Sequence, residues 1–309
     1  MNRSNYEHRW AVILAGGDGT RLKPLTRALT GDDRPKQFCR IISDRTLLDH
    51  TQRRVALLLR PAQTLVVVTR THERFYQEQL NDWRSDRLLV QPENKGTAPA
   101  ILLSLLRIAQ FSPKAVVAFF PSDHHFSDEA GFMAQVRRAF DLVERHPSHL
   151  TLLGVQPDRT EVEYGWIEPV RSVEQDDAAL LPVRRFWEKP AYNIAERLMC
   201  GGSLWNTFVM IGHVEAFLGL ISRALPNLFR TLSSVAKDLG SDTEAPTVKR
   251  LYSRIVSANF SKQVLALQPD KLSVLRVPNV GWTDLGAPQR VAATFKSRQL
   301  QNSYSLRAP

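Results

Sequence analysis

Short, almost wholly apolar runs rich in β-branched residues alternate with longer segments whose apolar residues recur at helical spacing. This alternation restricts the chain more than any other feature. Trp10 to Ala15, Thr64 to Thr69, Ala115 to Phe120 and Leu150 to Val155 read as fully buried strands. Between them, Leu47 to Leu59, His72 to Asn81, Thr97 to Phe111 and Glu129 to His146 carry apolar residues on one face and charges on the other. Such alternation means parallel strands joined by crossover helices, so the first half predicts a doubly wound sheet. In the second half Val183 to Lys189 and Trp205 to Ile211 read as strands. Val214 to Leu225 and Thr247 to Ala258 read as helices, and Ser241 to Glu244 as a loop.

With 309 residues, 43% of them hydrophobic and 23% charged, the chain can bury a large core, and disorder is excluded for most of its length. Lys+Arg 41 against Asp+Glu 31 leaves a formal charge of +10, which attracts polyanions without naming them. The basic residues are dispersed rather than clustered beside aromatics or along one helix, which argues against a nucleic-acid partner. No run approaches the roughly 20 apolar residues of a membrane helix, and the first apolar stretch breaks at Gly16-Gly17. A cytoplasmic protein with no membrane partner is therefore expected. Cys39 and Cys200 stand in no C-x-x-C spacing, and each reads as a small buried thiol.

Ligands of open parallel sheets bind at the carboxyl ends of the strands, and there the sequence becomes unusual. The first strand is followed by Gly16-Gly17-Asp18-Gly19-Thr20-Arg21-Leu22-Lys23-Pro24. Three glycines let backbone N–H groups approach an anion, and Arg21 and Lys23 add charge. The same letters also suit a plain glycine turn, and they match neither G-x-G-x-x-G nor the P-loop. Arg34-Pro35-Lys36-Gln37-Phe38 sets a lysine on a proline-stiffened backbone. Leu88 to Gln91 reads as a third strand leading into Pro92-Glu93-Asn94-Lys95-Gly96-Thr97-Ala98-Pro99, where Thr97 is expected to cap a helix. Ala115 to Phe120 leads to Ser122-Asp123-His124-His125, so a carboxylate stands at a strand exit, either as a turn residue or as a ligand for a hard cation. No spacing supplies a third zinc ligand, so His124 and His125 read as non-ligands. Asp284 lies far downstream between Gly281 and Gly286. Tyr164-Gly165-Trp166, Trp187-Glu188-Lys189 and Trp205-Asn206 offer an aromatic surface, an acid–base pair and an amide suited to a hydroxyl-rich ring and its phosphate, although each also suits packing or a surface ion pair.

Taken together and in this order, from about Trp10 to Val291, these segments resemble the sugar-phosphate nucleotidylyltransferases, most closely the mannose-1-phosphate guanylyltransferases. L-A-G-G-D-G-T-R-L with P-L-T, P-K-Q-F and P-S-D-H carries the likeness. The resemblance implies an α/β fold: a Rossmann-like, mixed but mostly parallel sheet flanked by helices. It implies one catalytic domain over 9–296, with a nucleotide-binding half (9–155) and a sugar-phosphate half (156–296) that returns to the metal site. A loose tail is expected over 297–309. The nucleotide would be held by Leu14, Ala15, Gly16, Gly17, Gly19, Thr20, Arg21, Lys36, Gln91, Asn94, Gly96, Thr97 and Ala98. Arg21 would grip phosphates, Lys36 would steady the α-phosphate, and Asp123 and Asp284 would carry Mg²⁺. Gly165, Glu188, Lys189 and Asn206 match the sugar-phosphate side.

The N-K-G-T-A-P-A-I segment resembles the guanylyltransferase form, which favours GTP as donor and mannose 1-phosphate as acceptor. Another hexose 1-phosphate or nucleoside triphosphate is the alternative, as is a catalytically silent nucleotide-sugar-binding relative. A homodimer is an admissible assembly. Two departures stand out. The family's N-S-G-M-F is here Asn206-Thr207-Phe208-Val209-Met210, and an aspartate-tyrosine segment near Ser261-Lys262-Gln263-Val264-Leu265 lacks its acid. Appended hexapeptide-repeat or isomerase segments of some relatives are not seen after Val291, so roles tied to them are not expected.

Overall fold

The apolar runs of the first half become strands β1 (Arg9–Leu14), β2 (Thr64–Thr69), β3 (Leu88–Gln91), β4 (Val116–Pro121) and β5 (Leu150–Val155). They alternate with helices α1 (Lys23–Thr30), α2 (Leu47–Ala56), α3 (Glu73–Tyr76), α4 (Thr97–Phe111) and α5 (Glu129–Val143). The second half adds β6 (Gly165–Pro169), β7 (Leu181–Glu188), β8 (Leu204–His213) and β9 (Leu272–Val277). Its helices are α6 (Tyr192–Cys200), α7 (Val214–Ala224), α8 (Pro226–Ser233), α9 (Glu244–Tyr252) and α10 (Pro288–Ser305). The structure, a computed structural model, describes residues 8–170 and 180–305, with side chains described as far as 296.

All nine strands form one sheet in the order β3-β2-β1-β4-β8-β5-β9-β7-β6. β1 pairs in parallel with β2 and β4, β2 with β3, and β5 with β9. β8 runs antiparallel between β4 and β5, and also borders β6. β7 opposes both β6 and β9, so β1 to β6 and β9 share one direction, and β7 and β8 run against it. This is the mixed, mostly parallel sheet that the resemblance implied. β5 follows β4 in sequence, but a strand from the second half lies between them. Spacing signals report local period and cannot show which distant strand will pair.

The sheet is covered on both faces, which is why its central strands are apolar without alternation. Val12, Val67 and Phe119 pack with Ile101 and Leu105 of α4 and Phe217 of α7. Ile13, Val66 and Phe120 pack on the other face with Val55 of α2 and Val136 and Phe140 of α5.

Local differences from expectation have local causes. Only Glu73–Tyr76 of the segment His72 to Asn81 forms α-helix, after a tight turn over Arg70–His72. α9 ends at Tyr252, short of Ala258, because the backbone of Ala258 pairs with Lys95 and Ala98 instead of continuing the helix. Cys39 is buried, and burial pushes its thiol up to about 12. Cys200 is exposed at the end of α6, which corrects the expectation of a buried thiol there. The loose tail is also corrected over 297–305, because α10 continues to Ser305 through a stretch free of glycine and proline. Residues 306–309 lie outside the described residues.

The Phe119 ring is fully buried and meets Phe217 edge-on at 5.0 Å. Phe119→Ala is expected to cost about 3–5 kcal/mol, read as a lower urea midpoint with an unchanged m value.

Candidate active site

The glycine loop leaves β1 and is pinned from several sides. Gln37 Nε2 donates to the carbonyls of Ala15 (3.0 Å) and Gly17 (2.7 Å), and Thr69 Oγ1 donates to that of Gly16 (2.9 Å). Asp18 accepts from Asn94 Nδ2 at 2.8 Å and lies 3.1 Å from His72 Nε2. Gly19 turns in the left-handed region at φ 59°, where a Cβ would stand 3.2 Å from the Lys36 N–H nitrogen. Beside this loop, the segment after β3 turns at Gly96, φ 86°, where a Cβ would come within 2.5 Å of the Ala258 carbonyl oxygen.

The cap on α4 differs from expectation. Gly96 holds the cap position and Thr97 is the first helical residue. Thr97 Oγ1 accepts the N–H of Phe260 at 2.8 Å. Thr97 thus stands inside the helix rather than ahead of it, and its hydroxyl serves a distant backbone group instead of the helix start.

Asp123 and Asp284, 161 residues apart in sequence, come to the same place. His125 and Thr283 exchange two backbone hydrogen bonds (2.9 and 3.0 Å), which clip the two acid-bearing loops together. Lys36 Nζ lies 3.1 Å from Asp123 Oδ2 and also donates to the carbonyl of Asp284. The Asp284 carboxylate accepts from Tyr164 (3.1 Å) and from the N–H of Gly286 (2.8 Å), and pairs with Arg290 Nε at 2.9 Å. Burial alone would push this acid up, but Lys36, His124, Arg290 and the Gly286 N–H together hold it below its usual value. His124 is lowered as well, to about 4, chiefly by burial. Its Nδ1 accepts from the Trp282 indole at 3.2 Å, as a neutral imidazole can.

Further out, Glu163 pairs with Arg21 at 2.8 Å and lies 3.8 Å from Lys189 Nζ. Lys189 adopts a left-handed φ of 50°, with its N–H donated to the Tyr164 carbonyl at 3.1 Å. Burial raises the Glu188 carboxyl, while Lys189 and Lys262 oppose the shift. Asn206 Oδ1 accepts the N–H of Phe208, whose φ of 61° is unusual for a bulky side chain.

These groups surround a cavity of about 370 Å³ and an adjoining one of about 250 Å³, both of which meet Asp123, His124 and Asp284. Leu14, Gly16, Gly17, Gln91, Asn94, Gly96 and Thr97 line the larger one on one side, and Gly165, Glu188 and Asn206 on the other. Gly19, Thr20, Arg21 and Lys36 line the smaller. Ala15 and Ala98 are fully buried behind these walls, and Ala98 gives its N–H to Ala258. Lys189 approaches from the rim through Glu163.

Sequence reasoning missed Arg290, Gln37 and Glu163. Arg290 follows Asp284 by six residues at the start of α10, a position that spacing could have flagged. The acid-poor segment Ser261–Leu265 forms one π-helical turn, and Ser261 faces the cavity.

Two neighbouring carboxylates fit a hard cation. Asp123 Oδ1 lies 3.8 Å from His124, and Asp284 Oδ2 makes long contacts to Arg290 (3.4 Å) and Arg21 (3.7 Å). Each acid thus keeps an oxygen available, which suits an ion that takes one or two carboxylates and completes its shell with phosphate and water.

The nucleotidyl transferase family model matches residues 10–298. The chain is 29% identical over 293 residues to a mannose-1-phosphate guanylyltransferase of Escherichia coli strain K12, covering 90% of this chain and 58% of that protein. A mannose-1-phosphate guanylyltransferase of Klebsiella pneumoniae is 29% identical over 238 residues, covering 75% of this chain and 49% of that protein. The chain thus spans about half the length of the curated relatives it matches. Among solved structures, one described as a mannose-1-phosphate geranyltransferase of Thermus thermophilus superposes with a TM-score of 0.77 at 27% identity, covering 90% of this chain and 76% of that one. The inositol-1-phosphate CTP transferase of T. maritima shares the fold, with a TM-score of 0.55 at 17% identity over 94% of this chain and 96% of that one. With the glycine loop, the paired acids and a family match over nearly its whole length, the chain belongs to the nucleotidyl transferase family.

Proposed function

We propose that this protein transfers a guanylyl group from GTP to mannose 1-phosphate, giving GDP-mannose and pyrophosphate. The observation that carries the reading is the convergence of Asp123, Asp284 and Lys36 on one cavity, with the glycine loop on one side and Gly165, Glu188 and Asn206 on the other. A catalyst that joins two phosphorylated molecules needs this arrangement, with cationic and metal-binding groups at the junction and separate walls for each partner. The named activity of the relatives supports the choice of base and sugar.

In this reading a phosphate oxygen of the sugar 1-phosphate attacks the α-phosphorus in line. The bond from that phosphorus to the bridging oxygen breaks, and its electron pair leaves with pyrophosphate. The nucleophile is already anionic, so no general base is needed. The obstacle is repulsion: at about 4 Å and an effective dielectric of about 20, each pair of like charges costs about 4 kcal/mol. Lys36 faces the α-phosphate, Arg21 the remaining nucleotide phosphates and Lys189 the sugar phosphate. Asp123 and Asp284 would hold Mg²⁺, which when bound supplies charge neutralisation at the reacting phosphates. Phe208 occupies space beside Asn206, so it restricts which hexose fits.

Three measurements test this. Pyrophosphate release, assayed across GTP, UTP, dTTP, ATP and CTP with several hexose 1-phosphates, is expected to be fastest for GTP with mannose 1-phosphate. A different pair favoured tenfold would replace the substrate assignment. Asp123→Asn and Asp284→Asn should each lower kcat by about two orders of magnitude while the circular dichroism spectrum is retained, as for loss of one electrostatic contact to developing charge. Near wild-type rates in both at saturating Mg²⁺ contradict the two-carboxylate site. Lys36→Ala should lose kcat even at saturating GTP. A change in KM alone would mean that Lys36 serves ground-state binding only.

A further inference from the structure

Arg21 and Lys189 come from opposite halves of the chain, and the carboxylate between them is Glu163. One of its oxygens, Oε2, lies 2.8 Å from Arg21 Nη1 and 3.8 Å from Lys189 Nζ. Glu163 also lines the larger cavity, and its own N–H is fixed to Glu161 Oε1 at 3.0 Å. The second cation is held in place by its backbone: Lys189 keeps a left-handed φ of 50°, anchored by its N–H to the carbonyl of Tyr164, the residue next to Glu163. Non-glycine residues keep such conformations where surrounding structure enforces them, and these positions cluster at ligand sites. All three side chains are close to half exposed, so the contact can open without unpacking the core.

We propose that Glu163 is a built-in counter-anion that occupies the position between Arg21 and Lys189 taken by substrate phosphates, and so sets how tightly this site binds them. The inference rests on the phosphate-binding roles given above to Arg21 and Lys189. A phosphate entering between the two cations must displace the carboxylate or lie beside it, and either costs affinity. The device weakens retention of anions, pyrophosphate among them, and keeps the two cationic side chains preorganised when no phosphate is bound. A carboxylate that instead grips a sugar hydroxyl would have the opposite effect when removed.

The test compares wild type with Glu163→Gln, which keeps size and hydrogen bonding but removes the charge. Isothermal titration with inorganic pyrophosphate in the presence of Mg²⁺ should give about 1.5- to fivefold tighter binding for the variant at low salt, the range expected for exposed ion pairs, and the gap should shrink at high salt. KM for the sugar phosphate should fall over the same range, with no matching rise in kcat. Equal or weaker pyrophosphate binding by Glu163→Gln at low salt, or a raised KM for the sugar phosphate, overturns the proposal. If wild type transfers no nucleotide with any substrate pair but the variant still binds pyrophosphate more tightly, the counter-anion role stands and the transfer reading fails.

Discussion

The buried ammonium of Lys36 ties together two pieces of chain that lie 161 residues apart in sequence. Its Nζ contacts the carboxylate of Asp123 at the end of β4 and the carbonyl of Asp284 on the loop before α10. A buried charge persists only when paired and hydrogen-bonded, so this cation both needs and fixes the two acidic loops. The reciprocal backbone hydrogen bonds of His125 and Thr283 lock the same junction one step further on. Everything proposed for chemistry is arranged around that knot.

The sheet explains how the knot can be stiff. β8 lies antiparallel between β4 and β5, so the second half is threaded through the first. Carboxyl ends of the forward strands carry the glycine loop and Asp123, while β6, β7 and β8 bring Gly165, Glu188 and Asn206 to the facing wall. Rigid strands therefore support both walls, and loops supply only the reacting groups. Around Asp284, Tyr164, Arg290 and Gly286 hold the carboxylate in one orientation, which favours a preorganised anion.

Much of this was legible in the sequence because the relevant signals are local. β2, β5 and α4 match their apolar patterns over the same residues, since a strand buried on both faces and a long amphipathic helix announce themselves by period. The glycine loop, Lys36, Asp123 and Asp284 stand out because strand exits and glycine brackets constrain few residue types. What stayed hidden depends on distance. The insertion of β8 is decided by which apolar edges meet in three dimensions. The cap on α4 shifted because Thr97 answers to Phe260, 163 residues away. Glu163 carries no local signal because its partner Arg21 lies 142 residues away, and Cys200 read as buried because a thiol is more often inside than out.

In the proposed mechanism every protein group acts by position and charge, and none forms a bond to the nucleotide. The neutral imidazole of His124 beside Asp123 is a side chain that could act otherwise, by forming a bond to phosphorus. The stereochemical course at the α-phosphorus separates the two. With a chiral α-thio analogue of GTP and mannose 1-phosphate, a single in-line displacement predicts product of inverted configuration. Net retention would mean two displacements through a covalent nucleotidyl-protein, and would contradict the mechanism at its centre.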